Sequence, residues 1–459
     1  MKNSLSSLVL CVLFIGFPVF AQENSAFHVS RWGGVLSVAQ NPADVFTLDL
    51  KSDIHLFSIA LAAESDYLSL HPNKLFAGAA AREVLEPAPN KETASAMIHG
   101  EVVGPSFLIR LSAKDALAFS TKDRVLVNID SIPLDAANML YDTLLGSGAN
   151  NYSFSGEYAS LNAHVWLEYA FTYGRLLFNH GPHRLKSGIT LKLLQGVSSY
   201  SLTLRNFQSQ LEIASELVDQ FTAEVTYGHT QNLTWGNEGN GLLKNEAMGV
   251  GLDIGAVYEY SPSWAQSEKA SPGGSADAHD YKFKIGFAIL DLGAITYEKK
   301  LASHDFHVDV DLLDIVVFET MESQADLNAV IHSIDGVSPQ PNDPGKFTMN
   351  LPARINFSLD YRVLRGVYFN LNPVIALNNG KSDPYRTHAQ TMCYFSLRAE
   401  KHRLGVYVPG AIGGLGGFRL GLGFKLGPLL IGSASVLSTL LAGQTAAADV
   451  FFGLRIPLT

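Results

Sequence analysis

Hydrophobic and polar positions alternate with a period of two along most of the chain. Val165, Leu167, Tyr169, Phe171 and Tyr173 fall on one face, with Trp166, Glu168, Ala170 and Thr172 between them. The same alternation recurs in Phe221–Tyr227, Val250–Tyr260, Ala353–Tyr361, Val367–Leu377, Phe418–Leu426 and Val450–Leu458. Successive side chains of an extended chain point to opposite sides, so each run predicts a two-faced strand. Soluble strands average about five or six residues. Most of these runs reach about nine to eleven, the length that crosses a bilayer at a tilt of roughly 45°.

The apolar faces are therefore expected to meet lipid, and the faces rich in Gly, Asn, Arg and Asp to line a lumen. Arg354, Asp360, Arg419 and Arg455 lie on the second kind of face. An Arg facing lipid costs about 2–4 kcal/mol at the midplane and an Asp less, so these four are the lumen-facing candidates. Tyr258, Tyr260, Tyr281, Tyr297, Tyr361 and Tyr407 lie near strand ends, as interface girdles do. Glycines on the inner face would make room for bends or for a plug. The expected fold is all-β, a transmembrane antiparallel β-barrel forming one domain over residues 22–459. Closure removes the exposed edges that so many strands would otherwise leave. A soluble exported β-sandwich is the rival; it explains the alternation but not the strand length.

Some segments do not alternate. Ile132–Leu145 and Leu312–Ile334 suit short helices, and Ser261–His279 and Ser338–Gly345 are loops rich in Pro, Ser and Gly. In such barrels long loops belong at the outer end and short turns at the periplasmic end.

The first 21 residues read as a signal peptide: Lys2, an apolar run from Leu8 to Phe20, and cleavage after Ala21. Cys11 leaves with the leader, so Cys393 would be alone and no internal disulfide is expected. Charged residues make up 17% of the chain, low for a soluble protein, and 40 glycines help fill the difference. The formal charge of −10 disfavours nucleic acid and anionic membrane surfaces as partners.

Candidate chemistry is sparse. Asp305, His307, Asp309 and Asp311 share one strand face and are weak candidates for holding a cation, beside the plainer reading of a solvated polar face. His180 and His183 flank a Gly-Pro turn. Gly380-Lys381-Ser382 resembles the end of a phosphate loop, but Ile375 stands where that loop needs glycine. Gly421 and Gly423 do not complete a dinucleotide fingerprint, and neither HExxH nor GxSxG occurs. No catalytic residue, cofactor or enzyme activity is expected.

Several stretches taken in order carry a resemblance. They are Gly33-Gly34 with Asn41-Pro42-Ala43, Gly104-Pro105-Ser106, Gly188–Lys192 with Gly196, Gly251–Glu259, Phe283–Tyr297, Leu359–Arg362, Gly405–Pro409, and Gly421–Leu426 leading to Gly453–Leu458. In that order the chain resembles a Bacteroidota family of outer-membrane barrels of unassigned function, similar to FadL-like long-chain fatty acid transport proteins. The resemblance implies a barrel of roughly fourteen strands, with residues 22–45 as a plug or gate. It places the protein in the outer membrane of a Gram-negative bacterium. Asn41, Pro42 and Ala43 are expected to form a structural turn, since Asn before Pro suits one.

The function so expected is passive uptake of a small solute, with hydrophobic molecules as the class the resemblance implies. The alternatives are a non-transporting barrel that anchors a secretion or surface-assembly complex, and a soluble exported binding module. Expected partners are outer-membrane lipid, a small hydrophobic solute, and secretion or surface-complex proteins, with no nucleic acid.

Overall fold

A computed structural model describes residues 25–47, 50–88, 91–145, 151–212, 217–230, 247–262, 280–299, 305–314, 333–339, 345–377, 384–401 and 403–458. The leader read over residues 1–21 lies outside them.

Fourteen antiparallel staves close into a transmembrane-type β-barrel. They are β1 (Ser52–Ser65), β2 (Thr93–Val103, resuming as Ser106–Arg110), β3 (Asp115–Pro133), β4 (Asn151–His180), β5 (His183–Glu212), β6 (Ala247–Tyr260) and β7 (Phe283–Glu298). The round continues with β8 (Lys346–Asn350, resuming as Arg354–Leu364), β9 (Val367–Ala376), β10 (Met392–Glu400), β11 (Leu404–Gly413), β12 (Arg419–Leu420, resuming as Leu422–Leu426), β13 (Leu429–Ser433) and β14 (Ala447–Leu458). β1 pairs with β2 on one side and with β14 on the other, Ser52 opposite Leu458, and this seam closes the wall.

The alternation sets the two faces. Phe171, Leu191, Val250, Phe357, Leu397 and Ile431 are exposed on the outside, while their neighbours Thr172, Lys192, Gly251, Asn356, Arg398 and Gly432 are buried within. Tight turns at Gly181, Gly366 and Gly427 mark one end of the barrel, and Ser52 and Leu458 lie at that end too.

Four expectations are corrected. First, β4 and β5 each run for 30 residues. At ~3.3 Å per residue such a strand reaches far beyond the ~30 Å hydrocarbon layer. The outer half of β5 carries a further strand, Leu217–His229, which pairs with Phe306–Asp314. The apolar face of Phe221–Tyr227 therefore does not meet lipid. Ala223, Val225 and Tyr227 pack with Val308, Val310, Ala159 and Phe207 in a core of their own, because a strand standing in water must bury its apolar side.

Second, not every strand-end tyrosine is a girdle. Tyr361 is exposed on the outside, but Tyr281, Tyr297 and Tyr407 are buried in the lumen, where their hydroxyls find partners. Third, the Ser261–His279 loop leaves from the tight-turn end, between Tyr260 and Phe283, and not from the end with the other long connections. Its residues 263–279 lie outside the described set. Fourth, Ile132–Leu145 yields a helix over Leu134–Leu145 with Ile132 still in β3, while Leu312 extends a strand to Asp314. Residues 315–332 and 340–344 of the remaining two segments are likewise outside the described set.

Candidate functional site

The site is the lumen, and the N-terminal segment fills it from the tight-turn end. Residues 25–47 enter as helical turns Ser25–His28 and Val35–Val38 and a 3-10 turn Pro42–Val45. Apolar side chains seat it. Phe27 lies edge-on to Tyr407 at 4.6 Å and beside Phe451 at 5.2 Å. Val35, Val38, Val45 and Phe46 pack on Leu108, Ala116, Ala118 and Leu176 of the wall.

Polar contacts set its register. Gly34 takes φ 56°, and the next amide, Val35 N–H, donates to Asp53 Oδ2 at 2.9 Å. Arg455 holds the other oxygen of Asp53 at 2.8 Å and also donates to the Trp32 carbonyl. Ser30 Oγ and Arg31 N–H donate to Glu400 at 2.5 and 3.1 Å. Asn41 caps the 3-10 turn by accepting from Ala43 N–H at 3.0 Å. Its Nδ2 donates to the carbonyls of Ala256 and Phe287, each at 3.1 Å. A β-carbon at Gly188 would overlap Pro42, and one at Gly255 would overlap Asn41 Oδ1, so two wall glycines form the recess for this turn.

Above the plug, buried charges bridge the lumen. Arg124 of β3 reaches Asp291 of β7 at 2.9 Å. Lys192 and Arg354 meet the same carboxylate, each at 2.6 Å, and Lys192 also holds Asp253 at 2.8 Å. A second cluster, beside the plug rather than above it, joins Arg398 to Asp360 and to Glu400, the carboxylate that accepts from Ser30 and Arg31, with the Tyr281 hydroxyl on Asp360. Pairing of this kind offsets the several kcal/mol that each buried ion loses with its water.

Further out, Leu126, Trp166, Leu194, Ile295, Tyr297, Phe347, Met349 and Leu351 form an apolar layer. Tyr385 lies tilted against Phe347 with ring centroids 5.0 Å apart, and His388 contacts Asp130 at 3.1 Å, so residues 384–391 fold over this layer from the other end. A cavity of about 60 Å³ remains between Glu64, Met97, Arg124, Arg354, Val374 and Met392. As described, the lumen is closed by a plug, an ionic bridge and an outer cap.

The residues singled out from sequence fall as follows. Arg354, Asp360, Arg419 and Arg455 are all buried, paired with Asp291, Arg398, Glu64 and Asp53 respectively. Asn41, Pro42 and Ala43 are the turn in the glycine recess. Asp305, His307, Asp309 and Asp311 share a face of the outer sheet, with His307, Asp309 and Asp311 exposed. Asp305 is already engaged by Tyr227 N–H, Lys299 and the Tyr385 hydroxyl. Among the described residues no group of three or more His, Cys, Asp or Glu is arranged to hold a metal. His183 contacts the Tyr258 hydroxyl at 2.6 Å beside the first tight turn. Arg124, Lys192, Asp253 and Asp291 were not singled out. Lys192 and Asp253 sit at inner positions of alternating runs, the signal that could have found them.

A model described as a family of unknown function, DUF5723, matches residues 49–434. The chain belongs to the DUF5723 family. The DUF5723 match runs from the start of β1 to the end of β13, so the plug residues 25–47 lie outside it. Among solved structures, a TodX deltaS2S3 mutant monoaromatic hydrocarbon channel is similar at 9% identity, over 92% of this chain and 94% of that one, with a TM-score of 0.41. A Pseudomonas aeruginosa FadL homologue is similar at 10% identity, over 92% and 93%, with a TM-score of 0.38. The Pseudomonas putida toluene transporter TodX is similar at 8% identity, over 96% and 99%, with a TM-score of 0.36. No curated protein matches the chain.

Proposed function

We propose that the protein is an outer-membrane barrel for passive uptake of a small hydrophobic solute, held shut by its N-terminal segment. The observation that carries this reading is how the segment is seated. It is separate from the wall in sequence, enters from one end, and lies along an apolar slot formed by Leu108, Ala116, Ala118 and Leu176. Displacing it would uncover that slot to a solute of matching character. The apolar belt on the outside supports insertion in a membrane, and the tight-turn end, with Ser52 and Leu458, is then the periplasmic one.

The test is removal of residues 22–40 in a barrel that keeps its heat-modifiable mobility. Proteoliposomes carrying the truncated barrel should take up a small hydrophobic fluorophore faster than those carrying the full chain. Unchanged uptake, with partner proteins co-purifying, would count against transport.

A second reading is an anchor or adaptor for a surface assembly. One observation favours it. The outer halves of β4 and β5, with Leu217–His229 and Phe306–Asp314, form a sheet that stands beyond the barrel with its own core. Passage of a solute does not require such a sheet, and a surface partner could bind it. Loss of co-purifying protein on deleting the sheet, with solute uptake unchanged, would support this reading.

A further inference from the structure

We propose that the tight-turn rim of the barrel is a collar for phospholipid phosphates, binding anionic headgroups of the leaflet it meets; this rests on the membrane reading above. The net charge conceals the feature. The chain is formally −10, yet among the described residues the outward charge at this rim is basic. Lys51 precedes β1, Lys114 lies in the β2–β3 turn, and Lys282 precedes β7. Arg365 joins β8 to β9, and Lys401 and Arg403 join β10 to β11.

Among the described residues the acids at this end, Asp115 apart, point inward. Asp53, Asp280 and Glu400 are buried, and Glu259 lies against Lys186 at 2.7 Å. Among the described residues Asp115 is the one carboxylate outside the lumen at this rim, and Arg175 holds it at 2.9 Å. At the opposite end Glu83, Glu224, Asp309 and Asp311 are exposed.

Position then selects the ligand. The cations follow directly on the apolar belt: Leu111, Leu364 and Leu404 are more than half exposed, and Lys114, Arg365 and Arg403 stand within three residues of them. Lys282 Nζ lies 4.2 Å above the ring of Tyr361, itself exposed on the belt. A tyrosine at the hydrocarbon edge with a cation beside it marks the headgroup layer, where phosphate oxygens accept from ammonium and guanidinium groups. The cations are also spread around the wall from β1 to β11. A lipid annulus surrounds a barrel in the same way, whereas a docked soluble protein would cover one sector.

The full chain, in nanodiscs of equal phosphatidylglycerol and phosphatidylcholine, can be extracted gently and its retained lipids weighed by native mass spectrometry. Wild type should retain phosphatidylglycerol several-fold over phosphatidylcholine. K114Q/R365Q/K401Q/R403Q should lose that preference, and K114R/R365K/K401R/R403K should keep it. Heat-modifiable mobility shows that each barrel is folded, and recovery in the membrane fraction tests the membrane reading separately. The proposal is overturned by a wild type without preference, or by a folded glutamine variant that keeps it. Capture of an acidic soluble protein that depends on the rim, with no lipid preference, would also overturn it and assign the rim to a protein partner.

Discussion

The carboxamide of Asn41 occupies the space that a β-carbon on Gly255 would take. From there it caps its own turn and donates to two wall carbonyls, so one side chain fixes both the local fold of the plug and its docking. Gly255→Val should therefore unseat the plug and leave the barrel standing. Overpacking of this kind costs about 1–3 kcal/mol, and here the segment can relieve it by leaving the recess. The variant should keep its heat-modifiable mobility, show faster proteolysis before Ser52, and pass more solute. Unchanged protection of the N-terminal segment in a folded variant would sink the idea.

Arg398 is buried between Asp360 and Glu400, at 3.1 Å from the latter. Arg398→Met would leave both carboxylates in the lumen without their cation. Removing one partner of a buried ionic set costs about 3–5 kcal/mol, whereas replacing the set by apolar residues is often close to neutral. The single variant should lower the urea midpoint clearly. Arg398→Met combined with Asp360→Leu should recover part of the loss, and a double variant no more stable than the single one would contradict this account.

The plug and the ionic bridge are separate closures, since the Arg124–Asp291 contact involves no residue of the plug. Deleting residues 22–40 should thus raise permeability only in part. Adding Arg124→Ala and Asp291→Ala together should raise it further, with Lys192 still held by Asp253. Conductance in planar bilayers reads both steps. An equal rise with and without the second change would mean that the bridge is no barrier.

Much of the wall was legible in the alternation, because a strand with lipid on one side and a polar lumen on the other leaves its two faces in the sequence. Arg354, Asp360, Arg419 and Arg455 stood out for that reason, whereas the Asn41-Pro42 turn was legible from its turn chemistry. Two things were not legible. Apolar alternation looks the same against lipid as against another strand, so Phe221–Tyr227 gave no sign of its own protein core. Pairing across a lumen joins residues far apart in the chain, and Asp291, whose carboxylate gathers three cations, follows Leu290 in a run whose alternation breaks there. Its φ of 58° accompanies an irregularity in the β6–β7 register. Net charge misled in another way: an overall −10 hid a basic rim, because among the described residues the acids at that end, Asp115 apart, are buried and paired inside.

The outer cap should respond to pH through His388. Burial pushes the pKa of this ring down, but its hydrogen bond to the Asp130 carboxylate and the attraction of that charge outweigh burial, and the pKa ends above its ordinary value. A group whose folded pKa is raised stabilises the fold fully below its unfolded pKa of about 6.5. That contribution is lost as pH rises through the folded value. Residues 384–391 should accordingly be better protected in mildly acidic than in alkaline buffer, read by hydrogen exchange or limited proteolysis. Asp130→Asn removes the charge that raises the pKa, so the variant should lose most of the difference. If the protection of this segment changes with pH equally in the variant and the wild type, the response belongs to another group.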